Sequence, residues 1–238
     1  KRGHFYSARA WFHQIEKDGL RPNAASFRSI LGACGRSAKL DEALIYYDQM
    51  RSCGFPPSLV NFNTLIHLHR KVDNNGRIFS ILADMRHTFC TPDSTTLHSL
   101  LKVYERYGRF DGIPEALRHL KDAGWIPTSK CYRLLVRTYI RGNMVESALE
   151  AFDNLRSLTE VEEILSHNLM CMCKSSGRYD EAIHVFKQIC NPSLKTACTM
   201  IDIYGLKGEI ELGEALFDSL RTSEMVLDPV TYNVLLTI

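Results

Sequence analysis

The sequence predicts an all-α solenoid of stacked helical hairpins, and three observations predict it. First, Pro22, Pro57, Pro92 and Pro127 stand 35 residues apart each time, and a fixed period in this range marks a repeat array. Second, each interval opens on a stripe of apolar residues with the i, i+3, i+4, i+7 spacing of a half-buried helix. Third, each interval closes on a second such stripe, reached through a short polar turn. One hairpin leaves both stripes open to water, whereas stacked neighbours cover them.

Aligned on the prolines, the chain divides into repeats 24–58, 59–93 and 94–128. The next proline at the matching place is Pro192, and the interval before it divides into 129–162 and 163–193. Repeat 194–228 follows, residues 1–23 form the second half of an earlier repeat, and 229–238 begin another. The whole of 1–238 is thus one array, expected to wind as a right-handed superhelix.

The first helix of each repeat is read from places 4, 7, 8 and 11, held by Phe27, Ile30, Leu31 and Cys34 in one repeat and by Leu97, Leu100, Leu101 and Tyr104 in another. The turn after it is polar, as in "RYGRFD" and "SSGRYD", where Gly108 and Gly177 suit the residue just past a helix end. The second helix is read from places 20, 24 and 27: Ala43, Tyr47 and Met50; Ala148, Phe152 and Leu155; Ala182, Phe186 and Ile189. A late proline stops it, and Ser, Thr or Asn then caps the next first helix.

Composition narrows the function without choosing it. The chain has 238 residues, 45% of them hydrophobic, and 29 basic against 27 acidic side chains for a net charge of +2. That balance does not announce a nucleic-acid binder, so local placement of charge must. No apolar run is long enough to span a membrane. The eight cysteines fit no disulfide framework and lie in helical runs such as "LMCMCK", as small hydrophobes of a reducing compartment do. The chain begins at Lys1 inside a repeat and is expected to be a fragment of a longer protein.

The residues "VNFNTLI" (60–66), "VTYNVLL" (230–236), "KLDEAL" (39–44) and "RYDEAI" (178–183), together with the late prolines, carry a resemblance to the pentatricopeptide-repeat family. The tetratricopeptide family is the nearest confusion, but its Trp-x-x-Leu-Gly-x-x-Tyr signature is missing. Three successive 35-residue repeats look like the pure P-type, while the shorter ones leave the mixed-length type open. The resemblance implies single-stranded RNA binding in plastids or mitochondria, one base per repeat. It further implies that the fifth and last residues of a repeat read the base edge and that the second flanks the base. These are Arg28 with Ser58, Asn63 with Asp93, His98 with Thr128, Arg133 with Glu162, His167 with Ser193, and Cys198 with Asp228; Asn233 holds the fifth place of the final partial repeat.

Among these, Asn63 with Asp93 matches a pair the family uses for uracil, with Val60 as the apolar flank. The amide offers a donor and an acceptor and the carboxylate accepts, so discrimination between base edges is chemically reasonable. Arg28 and Arg133 are long and charged for the ordinary role, Glu160, Glu162 and Glu163 put negative charge where a strand would pass, and Lys130 and Lys195 replace the apolar flank. A second pattern is a basic ladder: Arg36, Lys71, Arg106 and Arg141 share place 13, with Lys174 and Lys207 one place off. Equivalent places line up along one face of a solenoid, so such a row can track phosphates; a cation at a helix C-terminus also suits the helix dipole.

Catalytic and metal chemistry are not expected. Cys171 with Cys173 and His67 with His69 lack a second ligand pair, and no phosphate-cradling glycine loop or His-Glu-x-x-His run is present. The sequence therefore points to a non-enzymatic, cofactor-free RNA-binding module of organelle RNA metabolism, in the plastid ahead of the mitochondrion. The competing readings are a protein-interaction scaffold in an organelle gene-expression complex, using the same groove, and the recognition arm of an enzyme whose catalytic domain lies elsewhere.

Overall fold

The structure is a computed structural model that describes residues 3–69 and 75–222. Among them are thirteen α-helices, one 3₁₀ turn at Phe110–Gly112 and no strand. The fold is an all-α repeat solenoid whose chain falls into two compact units, residues 1–131 and 132–238.

The first unit opens with α1 (Gly3–Lys17) and continues as hairpins: α2 (Ala24–Ser37) with α3 (Leu40–Ser52), α4 (Leu59–His69) with α5 (Asn75–His87), and α6 (Ser94–Tyr107) with α7 (Ile113–Asp122). The first helices of successive hairpins pack in series, α2 on α4 and α4 on α6, while the second helices α5 and α7 lie side by side. The stripe predicted for α2 is the face that is buried: Phe27, Ile30, Leu31 and Cys34 are each at most 1% exposed. Phe12 meets Phe27 at 5.3 Å and Tyr46 at 5.1 Å between ring centres, joining three helices in one aromatic cluster. Truncating a buried ring of this kind costs about 3–5 kcal/mol. Where α2 meets α4 the approach is tight: a Cβ added at Gly35 would lie 2.8 Å from Thr64 Cγ2.

The second unit carries most of α8 (Ser129–Arg141), then α9 (Val145–Arg156), α10 (Glu163–Ser175) with α11 (Tyr179–Phe186), and α12 (Leu194–Lys207) with α13 (Ile210–Thr222). Leu165, Leu169, Met170 and Cys173 of α10 are buried against α11 and α12, and Ile201 of α12 packs on Phe217 and Leu220 of α13. All eight cysteines are free thiols, and Cys34, Cys131 and Cys173 are buried.

One turn recurs in both units. Ala38, Gly108, Asn143, Gly177 and Gly208 all have positive φ, between 52° and 84°. The next N–H then reaches back to the carbonyl of Cys34, Tyr104, Tyr139, Cys173 or Tyr204, at 2.9–3.1 Å. Each acceptor follows a buried turn of the helix, so the closing bond satisfies a carbonyl that would otherwise be orphaned. Gly108 and Gly177 were legible as helix enders; Asn143 does the same job as the side chain that best tolerates this backbone, and Ala38 does it with one that rarely adopts it. At the other end, Asn23 caps α2 in a reciprocal capping box with Ser26, and Asp93 caps α6 in one with Thr96.

Candidate nucleic-acid interface

The fifth and last places expected to read a base take different forms along the chain. Asn63 lies on α4, half-buried, and its Nδ2 donates to Asp93 Oδ1 at 3.3 Å. The buried Thr96 hydroxyl donates to Asn63 Oδ1 at 2.7 Å, and the Thr96 backbone N–H donates to Asp93 Oδ1 at 2.8 Å. Asp93 therefore caps α6 and fixes Asn63 together. Burial pushes the Asp93 carboxyl pKa up, but the Thr96 N–H and hydroxyl and the Asn63 amide outweigh it and hold the group below its ordinary value. The ionised, acceptor-only form follows. Asn63 keeps its second amide proton and a second lone pair on Oδ1 for a base edge. Val60, one turn earlier, is 62% exposed.

Arg28, Ser58, His98 and Thr128 are all exposed. The Ser58 N–H lies 3.2 Å from Oδ1 of the buried Asn61, and its hydroxyl donates to the same oxygen, so Ser58 is committed to the start of α4. Thr128 Oγ1 lies 3.3 Å from Cys131 Sγ.

In the second unit the same places close on themselves. Arg133 Nη1 pairs with Glu162 Oε1 at 3.2 Å, and Arg137 Nη2 pairs with Glu162 Oε2 at 3.3 Å. One carboxylate thus holds two guanidinium groups. His167 is only 8% exposed, its Nδ1 is buried without a hydrogen-bond partner, and its Nε2 lies 3.6 Å from Cys171 Sγ. Burial first, then the Lys195 charge, hold its pKa below the usual imidazole value. Its partner place, Ser193, donates its N–H to Glu163 Oε1 at 2.7 Å. Cys198 is half-buried on α12. Asp228 and Asn233 lie outside the described residues.

The ladder also divides. Arg36 and Arg106 are exposed in the last turns of α2 and α6, with Arg106 lying 6.0 Å from the Tyr107 ring centre. Arg141 is exposed at the end of α8. Lys174 pairs with Asp202 at 2.8 Å. Lys207 pairs with Asp180 at 2.5 Å and Glu209 at 2.8 Å, and these hydrogen bonds raise its pKa. Lys71 lies outside the described residues.

Sequence reading missed two participants, Ile164 and Thr96, and read a third, Glu163, only as negative charge in a strand's path. Ile164 is 73% exposed at the second place of its repeat, where Val60 stands in another, and that shared place was the available signal. Thr96 and Glu163 complete the two junctions through hydrogen bonds spanning 33 residues, which no local pattern announces. Among the described residues no group of three or more His, Cys, Asp or Glu is placed to hold a metal ion, and no helix is long and apolar enough to cross a membrane.

Comparison with known proteins adds a family. A family model described as the pentacotripeptide-repeat region of PRORP matches residues 14–202, and the PPR repeat model matches 196–225. The chain is 22% identical over 215 residues to the Arabidopsis thaliana protein At1g80270, named a mitochondrial pentatricopeptide repeat-containing protein, covering 89% of this chain and 36% of that one. It is 28% identical over 120 residues to At3g06430 of the same plant, named chloroplastic, covering 49% and 24%. It therefore spans about a third of the length of such relatives or less. Among solved structures, PPR10 in complex with an 18-nt psaJ RNA element superposes with a TM-score of 0.59 at 22% identity, over 99% of this chain and 35% of that one. Nuclear proteinaceous RNase P 2 from A. thaliana superposes with a TM-score of 0.57 at 18% identity, over 78% and 43%. Both likenesses establish the fold.

Proposed function

The chain belongs to the pentatricopeptide-repeat family, and from that premise we propose that it binds single-stranded RNA in organelle RNA metabolism. It acts without catalysis or a cofactor: a strand held along the repeats is denied to nucleases and to self-pairing, which alters transcript stability, processing, splicing or translation. The observation that carries this reading is the Asn63–Asp93–Thr96 network, which fixes an amide in one orientation with donor and acceptor capacity to spare. Val60 stands exposed beside it. The organelle assignment rests on the mitochondrial and chloroplastic names of relatives, and plastid is our choice between the two. Our repeats run 24–58, 59–93, 94–128, 129–162, 163–193 and 194–228. Helix starts at Ala24, Leu59, Ser94, Ser129, Glu163 and Leu194 support them.

A gel-shift with randomised single-stranded RNA tests the reading. Enrichment of a short uracil-containing motif is the expected result. Asn63→Ala with Asp93→Asn shifts the base preference at one position, a change worth about 1–3 kcal/mol of discrimination, with little effect on salt dependence. A chain that retains no RNA even at low salt rules the reading out. A protein-interaction scaffold is the second reading, favoured by the ion pair that closes Arg133 on Glu162.

A further inference from the structure

Each boundary between repeats involves three places: the fifth and last residues of one repeat and the third residue of the next. Across the described boundaries the third place is held by Asn61, Thr96, Cys131, Leu165 and Thr196, all of them buried. They differ in what they reach. Asn61 commits its amide to Ser58 and to Met50, whose Sδ lies 3.8 Å away. Cys131 Sγ meets the Thr128 hydroxyl. Leu165 has no polar group, and Glu162 ahead of it makes no cap and turns to Arg133 and Arg137 instead. Thr196 bonds to Ser193 and Glu163. Of these five, Thr96 is the one whose hydroxyl bonds to a fifth-place side chain, Asn63, at 2.7 Å.

Resting on the RNA reading, we infer that Thr96 is a positioning residue for base recognition by the preceding repeat, so that the third place of one repeat decides whether a fifth-place amide before it holds a preference for uracil. The reason is a count of protons and lone pairs. The Thr96 hydroxyl has one proton to give, and its oxygen already accepts the Asp93 N–H at 3.2 Å. Two acceptors compete for that proton: Asn63 Oδ1 at 2.7 Å and Asp93 Oδ1 at 3.0 Å. Asp93 Oδ1 also takes the Thr96 N–H at 2.8 Å and Asn63 Nδ2 at 3.3 Å. The proton goes to the nearer and less occupied oxygen, on Asn63. The amide is then held at both ends, its nitrogen by a carboxylate that can only accept and its oxygen by a hydroxyl. Turned over, its oxygen would face the carboxylate. Without the hydroxyl, one contact remains, and the amide swings about its Cβ–Cγ bond. Uracil presents a ring N–H beside carbonyl oxygens, whereas cytosine presents an amino group beside a ring acceptor. The two edges exchange donor for acceptor, so telling them apart requires an amide that cannot make the same exchange.

The test uses the full chain with oligouridylate and oligocytidylate of equal length, and reads the ratio of the two affinities. Wild-type chain prefers oligouridylate by about tenfold, the size of one well-made pair of base contacts. Thr96→Val keeps the side-chain shape, removes the hydroxyl and lowers the ratio to about twofold, while Thr96→Ser retains it. Thr196→Val removes an equally buried hydroxyl from the second unit and leaves the ratio alone, which separates positioning from stability. A gain of function completes the test and does not depend on the folding of Thr96→Val. His98→Asn with Thr128→Asp copies the reading pair into the next repeat, and the ratio rises only when Cys131→Thr is added. A folded Thr96→Val chain with an unchanged ratio overturns the inference, and so does a His98→Asn, Thr128→Asp chain that gains as much without the added threonine. Wild-type chain that binds neither polymer at low salt sinks the RNA reading itself, and one that binds both alike sinks the uracil assignment of Asn63; each is distinct from a failure at Thr96.

Discussion

Two junctions between repeats do the same structural work with a carboxylate from a different place. Where 59–93 meets 94–128, Asp93 is both the cap of α6 and the acceptor for Thr96 and Asn63. Where 163–193 meets 194–228, the cap residue is Ser193, and the carboxylate comes from the start of the preceding first helix: Glu163 Oε1 accepts from Ser193 N–H at 2.7 Å and from the Thr196 hydroxyl at 2.6 Å. Thr96 and Thr196 are both buried, so each hydroxyl requires an acceptor. The difference decides what becomes of the fifth place. When the cap supplies the acid, the fifth residue is drawn into the network as a polar edge. When the preceding helix supplies it, the fifth residue is left out, and His167 folds inward.

The largest effect that can break this comparison is removal of the acid. Asp93→Ala strips α6 of its cap and leaves Thr96 and Asn63 short of a partner, a loss of about 2 kcal/mol. Glu163→Ala leaves Ser193 in place as cap residue and costs about 1 kcal/mol. Urea denaturation of the two variants compares them, and equal losses would show that the source of the carboxylate is immaterial.

Acid sharpens the contrast. The Asp93 carboxyl sits below its ordinary pKa. Its contribution is therefore complete above the ordinary carboxylate value and is lost as pH falls through the folded one. The His167 pKa is also lowered, but here the neutral form is the one that folding favours. That contribution is complete above the ordinary imidazole value and is lost as pH falls below it. Hydrogen exchange across a pH series is expected to show α10 and α12 loosening in the imidazole range, before α6; α4 carries its own imidazole of lowered pKa, the buried His69, and loosens in the same range. His167→Leu abolishes the early phase in α10 and α12 alone.

The smallest effect lies in the loop leading to the first junction. Phe89 has φ 53° and is 93% exposed, at the place where Gly54 and Gly124 stand in neighbouring repeats with φ 81° and 84°. Phe89→Gly relieves about 1–2 kcal/mol of backbone strain and gives back about half of it in unfolded-chain entropy. The thermal midpoint rises slightly. No described residue of 187–193, leading to the second junction, has a positive φ, so that loop has no such strain to release.

These junctions also mark how far the sequence could be read. The stripe at Phe27, Ile30, Leu31 and Cys34 and the turn at Gly108 are local patterns, set by helix periodicity and one backbone conformation, and they were legible. Asn63 and Asp93 were paired through a family resemblance. That Asp93 caps α6 through Thr96 is a contact three residues long, but that both also hold Asn63 depends on groups brought close only by stacking. The same holds for Glu162, whose two arginines lie on α8, the first helix of the preceding hairpin, and for His167, whose burial depends on how α10 meets its neighbours. Helix faces follow from spacing along the chain, whereas charge pairing across repeats follows from the stacking those faces produce.

The contact at Gly35 has one more consequence. With only 2.8 Å between its absent Cβ and Thr64 Cγ2, two successive first helices leave no room for a side chain at Gly35. In an array that meets a polymer one subunit at a time, that distance is a ruler. A single methyl group there would alter the step between neighbouring graduations and throw the polymer's own spacing out of phase with the protein's.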